Sequence, residues 1–158
     1  IEMVVHSVHP DEEIVGDITV RGGALHATVV GGDEIPSMID ELPLVAVAGA
    51  LADGLTVIRN AGELRVKESD RIAVMAANLK RLGVNVEERP DGLLVHGPAR
   101  LRSADGVRSH GDHRVAMSMA VLSLFADAPV PLASISCTDT SYPGFWADLM
   151  RLGAHVEI

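Results

Sequence analysis

The chain has 158 residues, of which 47% are hydrophobic and only 3% aromatic, so that one domain-sized core must be built from aliphatic side chains. Thirteen basic and 22 acidic residues give a formal net charge of −9, which argues against a broad surface for nucleic acid or anionic lipid. The single cysteine, Cys137, excludes a disulfide framework, and the longest apolar runs, 44–52 and 115–126, are shorter than the ~18 residues of a membrane-spanning helix. These features predict a cytoplasmic protein with neither nucleic acid nor membrane as a partner.

The first predicted elements are a hairpin, a helix and a strand. Two extended segments, Asp17–Arg21 and Ala24–Val30, flank a Gly-Gly pair and predict a β-hairpin. The apolar run Asp40–Ala52 predicts a helix, since Pro43 lies near its first turn, where proline is tolerated. A short strand, Thr56–Asn60, is predicted to follow.

The remaining elements continue this alternation of helices and strands. Apolar residues at helical spacing from Ile72 to Leu82 predict a second helix. The turn residues Pro90-Asp91-Gly92 then separate two strands of a hairpin. The predicted hairpin strands and the later elements are, in order, the strands Val84–Arg89 and Leu93–His96, the helix Asp112–Phe125, the strand Ala133–Cys137, the helix Gly144–Leu152 and a strand beginning at Val156.

Two segments seventy residues apart resemble each other. NLKRLGVNVE at 78–87 and DLMRLGAHVE at 148–157 are identical at six of ten positions, and both predict a helix ended by a C′ glycine before a strand. A period this long indicates a duplicated supersecondary module, with chance similarity of two amphipathic helices as the alternative. The predicted modules are about 1–31, the end of a preceding module, then 32–97 and an incomplete 98–158. The whole chain, 1–158, is expected to be a single partial domain of a larger protein.

Charged residues are concentrated in Glu63–Arg71. Ser69 or Asp70 can cap the following helix, which places Arg71 in the first turn, where the helix dipole disfavours a cation. A bound anion, held by free N–H groups, Arg71 and Lys67, would offset this cost. The alternative is a solvated loop of Glu–Arg pairs that contributes little.

Two other helix starts also carry charged residues. Asp112-His113-Arg114 again places an arginine in a first turn, and Asp40 heads the first predicted helix. Taken alone, Asp40 is typical of an N-cap and His113 of a local hydrogen bonder. If the modules are related by pseudo-symmetry, Asp40, Arg71 and Arg114 face one cleft, where a carboxylate base lies beside cations that hold an anionic substrate. No metal-ligand spacing and no Gly-rich phosphate loop occurs in the sequence.

Four motifs follow one another: DELP at 40–43, ELRVKESDR at 63–71, GDHRVAM at 111–117 and TSYPGF at 140–145. Together they resemble the 5-enolpyruvylshikimate-3-phosphate synthase (3-phosphoshikimate 1-carboxyvinyltransferase) family, across essentially all of the chain but well under half of the family's length. The resemblance implies an α+β (mixed α/β) fold of pseudo-symmetric βαβαββ modules in a partial inside-out α/β barrel. It also implies an N-terminal domain of the same protein as the partner of this one.

The resemblance implies a reaction as well. The family transfers the enolpyruvyl group of phosphoenolpyruvate to the 5-hydroxyl of shikimate 3-phosphate and releases phosphate, in the shikimate pathway to chorismate and the aromatic amino acids. No metal or organic cofactor is implied, and this chain alone is expected to be inactive. The alternatives are a UDP-N-acetylglucosamine enolpyruvyl transferase and a non-catalytic anion-binding domain.

Roles for individual residues follow from the same resemblance. Asp40 is implied as the base for the 5-hydroxyl, and Lys67 as a second contact of shikimate 3-phosphate. Glu68 is implied as the acid that protonates the enol methylene, which requires Glu68 to hold a proton in the complex. Arg71 and Arg114 are implied as the clamp for phosphoenolpyruvate.

Three secondary candidates complete the set implied by the resemblance. His113 lies beside the clamp. Glu63 stands where some members carry asparagine, and Thr140 where many members carry lysine. The substitution at Thr140 leaves sensitivity to the competing inhibitor glyphosate open.

Overall fold

The computed structural model describes residues 1–7 and 14–157. Helices and strands alternate along the chain, which confirms the predicted α+β class. Three short 3-10 helices cover Gly32–Glu34, Gly62–Val66 and Ile135–Thr140. The strands are β1 (Glu2–Ser7), β2 (Val15–Thr19), β3 (Val29–Val30), β4 (Gly54–Ile58), β5 (Asn85–Arg89), β6 (Gly92–Gly97), β7 (Val107–Arg108) and β8 (Leu132–Ala133), and the helices are α1 (Ile35–Met38), α2 (Leu42–Leu51), α3 (Arg71–Arg81), α4 (His113–Ser123) and α5 (Phe145–Arg151).

The largest sheet has four strands in the order β3-β4-β6-β5. β3 and β4 are parallel and are connected through α2, whereas β6 is antiparallel to both of its neighbours. The turn at Pro90-Asp91 joins β5 to β6, with Arg89 opposite Gly92, which confirms this predicted hairpin. With α2 as the first helix, the element order from β3 to β6 is βαβαββ, as the resemblance implies.

The second half of the chain repeats this order as far as it extends. β7, α4, β8, a 3-10 helix and α5 correspond to β3, α2, β4, a 3-10 helix and α3, and β7 and β8 are again parallel. Helices α3 and α5 end identically, at Gly83 with φ +92° and Gly153 with φ +99°. In both, the amide two residues past the cap bonds back to a carbonyl of the last turn, Val84 to Leu79 at 3.0 Å and Ala154 to Leu149 at 3.1 Å. These are two Schellman caps, so the sequence repeat corresponds to a repeated structure.

The core lies where α2, α3 and α4 pack together, with α2 and α3 also covering the large sheet. Its buried apolar residues in the described part of the chain are all aliphatic or methionine, as the composition predicts. Each buried Leu, Ile or Met side chain contributes roughly 1.5–3 kcal/mol, so the three helices are held firmly. Representative core residues are Leu42, Val47, Ile58, Ile72, Met75, Leu79, Val95, Val115, Met119 and Leu122.

The predicted hairpin of Asp17–Arg21 with Ala24–Val30 is wrong. β2 pairs instead with β1, with Met3 opposite Ile18, and β3 pairs in parallel with β4. Alternating hydrophobicity identifies a strand but carries no information about its partner, and here the partner of β3 lies almost thirty residues away.

The predicted strand Ala133–Cys137 ends after Ala133. Ser134 has φ +63°, and the next residues form the 3-10 helix Ile135–Thr140, whose Thr138 hydroxyl bonds to the carbonyl of Ile135 at 2.9 Å. Serine and threonine side chains compete with strand pairing through such local bonds. The strand predicted from Val156 is not formed over 154–157, and Ile158 lies outside the described residues. None of the helices in 1–7 and 14–157 has the length and hydropathy needed to cross a membrane.

Candidate active site

Three helix N-termini meet at Arg71, the first residue of α3. Its guanidinium donates from Nε to Asp112 Oδ2 at 2.8 Å, from Nη1 to Asp40 Oδ1 at 2.9 Å and from Nη2 to Glu68 Oε2 at 2.6 Å. Asp112 is the N-cap of α4, and Asp40 lies two residues before α2. The convergence of these helix starts was predicted from the sequence. We refer to Asp40, Glu68, Arg71, Asp112 and Arg114 as the Arg71 cluster.

The Arg71 side chain is 1% exposed. Charged side chains are rarely buried without partners, because the loss of hydration costs several kcal/mol per ion. Burial by itself lowers the pKa of the guanidinium, but the hydrogen bonds and charges of Asp112, Asp40 and Glu68 outweigh it and raise the pKa. Arg71 is therefore a permanent cation, and the three carboxylates compensate it.

Asp112 is a cluster member that the sequence alone does not single out as a site residue. Its side chain is 0% exposed and connects α4 to Arg71: Oδ1 accepts the amides of Arg114 at 3.0 Å and Val115 at 3.3 Å, and Oδ2 accepts Arg71 Nε and the Ser69 hydroxyl. Burial raises the pKa of Asp112, but the hydrogen bond and charge of Arg71, with the Val115 and Ser69 donors, hold it below its ordinary value. The position of Asp112 before His113-Arg114 indicates an N-cap. Its bond to Arg71, 41 residues away along the chain, can be recognised only in the tertiary structure.

Asp40 lies between the two arginines. Arg114 Nη2 is 3.3 Å from Asp40 Oδ2, and Arg114 Nη1 donates to the Asp40 carbonyl and to Glu41 Oε1, each at 3.2 Å. Partial burial raises the pKa of Asp40, but the Arg71 hydrogen bond and the charges of Arg114, Arg71 and Lys67 outweigh it, so that the pKa is lowered. Asp40 is not the N-cap of α2; that position belongs to Glu41. Its partners are the two arginines.

The other predicted residues lie around the cluster or away from it. Lys67 Nζ bonds to Glu63 Oε1 at 2.6 Å, and the charge of Lys67 acts on Asp40. His113 is the first residue of α4, and its side chain has no hydrogen bond within the described residues. Thr140 ends a 3-10 helix and donates to the Cys137 carbonyl at 2.7 Å. In 1–7 and 14–157 no hydrogen bond or ion pair joins it to the Arg71 cluster.

The arrangement combines carboxyl groups, which are able to transfer protons, with cations, which are able to bind anions. Asp40 is an ionised carboxylate, able to accept a proton. Glu68 is a second carboxyl group on the same arginine, with its side chain about half exposed. Arg114 is one-third exposed and Lys67 about one-quarter, so both cations can be reached from solvent. Such a site suits proton transfer on an anionic substrate.

Solved structures of known proteins share the fold. EPSP synthase from Acinetobacter baumannii superposes with a TM-score of 0.88 and 34% identity, covering 98% of this chain and 37% of that protein. The enolpyruvyl transferase NikO from Streptomyces tendae superposes with a TM-score of 0.63 at 21% identity, which shows a common fold alone. The chain therefore has the fold of the enolpyruvyl transferases.

Sequence comparison narrows this class to one family. The profile of EPSP synthase (3-phosphoshikimate 1-carboxyvinyltransferase) matches residues 7–149, and the chain belongs to this family. The 3-phosphoshikimate 1-carboxyvinyltransferase of Gloeobacter violaceus is 53% identical over 140 residues, which are 89% of this chain and 32% of the relative. That of Pelotomaculum thermopropionicum is 50% identical over 150 residues, 94% of this chain and 34% of the relative. The chain thus spans about a third of the length of the curated relatives it matches.

Proposed function

We propose that the full-length protein transfers the enolpyruvyl group of phosphoenolpyruvate to the 5-hydroxyl of shikimate 3-phosphate and releases inorganic phosphate. The observation that carries the proposal is the placement of two carboxyl groups, Asp40 and Glu68, on one arginine, with Arg114 bonded to the same Asp40. The activity is that of the proteins for which the family is named. The cluster provides the acid, the base and the cations that this reaction needs.

The reaction has two steps, addition and elimination, and each step requires two proton transfers. In the addition step, a proton is delivered to the methylene carbon of phosphoenolpyruvate while the 5-hydroxyl oxygen bonds to the adjacent carbon and loses its own proton. In the elimination step, the new methyl group returns a proton to the acid, the carbon–oxygen bond to phosphate breaks, and the departing phosphate takes up the proton that the base had accepted from the 5-hydroxyl. The products are the enolpyruvyl ether and inorganic phosphate. Charge on the phosphate and carboxylate of the substrate must be balanced by cations throughout.

Asp40 is the proposed base. Its lowered pKa keeps the carboxylate ionised at neutral pH, so that it is ready to accept the hydroxyl proton. Bonds to Arg71 and Arg114 hold both of its oxygens. Asp40 and Lys67 are the proposed contacts of shikimate 3-phosphate, with Glu63 able to position the Lys67 ammonium through their 2.6 Å ion pair.

Glu68 is the proposed acid. An anionic substrate that binds beside it disfavours the ionised form of its carboxyl group, so we expect phosphoenolpyruvate binding to be accompanied by uptake of up to about one proton. Titration calorimetry in buffers of different ionisation enthalpy measures this uptake. Glu68→Gln should remove it, and equal uptake by this variant would contradict the assignment.

Arg114 and Arg71 are the proposed clamp for phosphoenolpyruvate, with His113 at the same helix start as a secondary contact. Arg114 is the more accessible of the two, at 33% exposure against 1% for Arg71. An anion reaches Arg71 only if Glu68 or Asp40 shifts, because the guanidinium is covered by its carboxylate partners. Thr140, at the end of its 3-10 helix, is a peripheral candidate that lacks a lysine's charge.

Steady-state kinetics of the full-length protein tests the function. We expect phosphate release that depends on both phosphoenolpyruvate and shikimate 3-phosphate, and a fall in kcat of about 100-fold or more in Asp40→Asn and Glu68→Gln, at the scale of lost general acid–base catalysis. Glu87→Gln is the control, because exposed Glu87 pairs only with Arg89 among the described residues. Turnover with UDP-N-acetylglucosamine in place of shikimate 3-phosphate would identify the sister activity. Anion binding without turnover would favour a non-catalytic anion-binding domain.

A further inference from the structure

We infer that Arg65 is a positioning residue, which closes the base of the loop that carries Lys67 and Glu68 and thereby sets where these two side chains lie. The inference rests on the proposed function, in which both groups act on substrate. Arg65 lies in the 3-10 helix Gly62–Val66 and is absent from the Arg71 cluster. Its own contacts form a separate network.

The Arg65 guanidinium bonds to four acceptors on two parts of the fold. Nε donates to the carbonyl of Pro90 and Nη2 to the carbonyl of Arg89, each at 2.7 Å. Nη1 donates to Asp70 Oδ2 at 2.8 Å, and Nη2 also to Glu88 Oε1 at 3.0 Å. A planar fork can satisfy carbonyls and carboxylates at once, which an ammonium cannot. Arg65 therefore joins the β5–β6 turn to the start of α3.

The bond to Asp70 closes a short loop. Residues 66–69 lie between the two bonded side chains, and Asp70 is also the N-cap of α3, with its other oxygen accepting the Ala73 amide at 2.9 Å. One carboxylate thus fixes both the helix start and the end of the loop. Arg65 fixes the beginning of the loop to the β5–β6 turn.

The loop has little else to hold it. Val66 is 80% exposed and contributes no apolar anchor. Lys67 bonds to Glu63, which is itself two-thirds exposed, and Ser69 bonds to Asp112. Two bonds of the loop reach buried side chains, Ser69 to Asp112 and Glu68 to Arg71, and both lie at the end of the loop next to α3. Release of Arg65 therefore leaves the loop bonded to buried side chains only at its end next to α3 among the described residues, with Lys67 held by the exposed Glu63. A displacement of about 1 Å at a reacting group can cost roughly 100-fold in rate.

The test compares Arg65→Gln with Arg89→Gln in the full-length protein. Arg89 lies on the same hairpin and carries the same charge, but its guanidinium pairs only with Glu87 among the described residues. Two readouts are used: kcat for enolpyruvyl transfer per folded enzyme, and the rate of lysyl-endopeptidase cleavage after Lys67, followed by mass spectrometry of the peptide that begins at Glu68. A purely structural role would lower the melting temperature and leave kcat of the folded enzyme unchanged.

We expect Arg65→Gln to lower kcat by about 10–100-fold and to speed cleavage after Lys67 by about tenfold, whereas Arg89→Gln changes each by less than about twofold. Arg65→Lys should recover only part of kcat, since lysine keeps the charge and loses the fork. If Arg65→Gln does not fold, Asp70→Asn serves instead, because asparagine keeps the N-cap and loses the ion pair. Unchanged kcat and cleavage in the folded variants would overturn the inference. An inactive wild-type protein would refute the proposed function. The cleavage rates of Arg65→Gln and Arg89→Gln would then show by themselves whether Arg65 positions the loop.

Discussion

At the scale of single residues, the Arg71–Asp112 pair shows how one contact serves both stability and the site. Both side chains are essentially buried, at 1% and 0% exposure, and their bond is 2.8 Å long. Breaking such a pair by removing one charge costs about 3–5 kcal/mol, because the other charge stays buried without compensation. The same bond orients the guanidinium toward Asp40 and Glu68.

Asp112→Asn isolates the charge of Asp112 from its capping role. Asparagine is as good an N-cap as aspartate, so the loss should come from Arg71, which keeps Asp40 and Glu68 but loses its one fully buried carboxylate partner. We expect the free energy of unfolding at pH 7 to fall by about 3 kcal/mol. Urea unfolding measures this change. Asp148→Asn, at an exposed pair with Arg151, is the control and should have a much smaller effect.

The same pair predicts a pH dependence. The pKa of Asp112 lies below its ordinary value of 3.8 in the folded protein, as does that of Asp40. The unfolded chain therefore binds protons first on acidification, so this contribution to stability is complete above pH 3.8 and is lost as the pH falls below it. Urea midpoints between pH 7 and pH 3 should fall more steeply for the wild type than for Asp112→Asn. Parallel curves would contradict the assignment.

Arg71→Lys tests the geometry of the proposed phosphoenolpyruvate clamp without removing its charge. A lysine is a point charge and cannot reproduce the three directed bonds to Asp40, Glu68 and Asp112. We expect the full-length variant to bind phosphoenolpyruvate at least about tenfold more weakly, as for the loss of one charged hydrogen bond. Arg151→Lys is the matched control on α5, and equilibrium titration is the measurement. Unaltered affinity would exclude Arg71 from the clamp.

At the scale of elements, the two Schellman caps show the same local structure at both ends of the sequence repeat. Gly83 and Gly153 occupy the left-handed region, where a Cβ is disfavoured by about 1–2 kcal/mol. Their surroundings differ: a Cβ at Gly83 would lie 3.3 Å from the Arg100 carbonyl oxygen and 3.0 Å from Arg102 Nε, whereas one at Gly153 would have no neighbour within 4 Å.

Alanine substitutions separate backbone strain from crowding at these caps. We expect Gly153→Ala to destabilise the protein by about 1 kcal/mol, and Gly83→Ala by more, because a backbone atom on 100–102 must also move. Differential scanning calorimetry of the two variants measures the difference. Equal losses of stability in the two variants would show that the backbone at Arg100 adjusts to the added Cβ without a measurable free-energy cost.

At the scale of the whole molecule, the described residues enclose part of the Arg71 cluster and leave some apolar surfaces exposed. β1 and β2 pair only with each other among the described strands, and apolar side chains of this sheet such as Met3 and Ile18 are exposed. The chain spans about a third of the length of its relatives. An exposed two-stranded sheet is marginally stable by itself.

We expect the isolated 158-residue chain to have no enolpyruvyl transferase activity, because a substrate bound at the cluster would remain open to water on its other side. Phosphate release by the purified chain, compared with the full-length protein at equal concentration, is the measurement. Turnover by the isolated chain at a rate near that of the full-length protein would contradict this expectation and show that these 158 residues suffice for the reaction.

The sequence alone determined the features that depend on neighbours along the chain. Helical spacing located α2, α3 and α4 to within a few residues, Pro90-Asp91-Gly92 located the β5–β6 turn, and the C′ glycines identified the repeat. The motifs identified the family and brought Asp40, Glu68, Arg71 and Arg114 to attention, and these four residues do meet. Caps, turns and amphipathic periods depend on residues that are close together along the chain, so they can be predicted from the sequence alone.

Only the tertiary structure decided which distant groups bond to one another. Examples are the pairing of β1 with β2 and of β3 with β4, the hydrogen bond between Arg71 and Asp112, and the hydrogen bond from Arg65 to the β5–β6 turn. The sequence pattern does not connect the residues of any of these contacts. A strand pattern fits several partners equally well, and a capping aspartate looks the same whether its second oxygen faces water or an arginine. Packing of the aliphatic core selects among these, because it alone fixes which helix starts lie side by side.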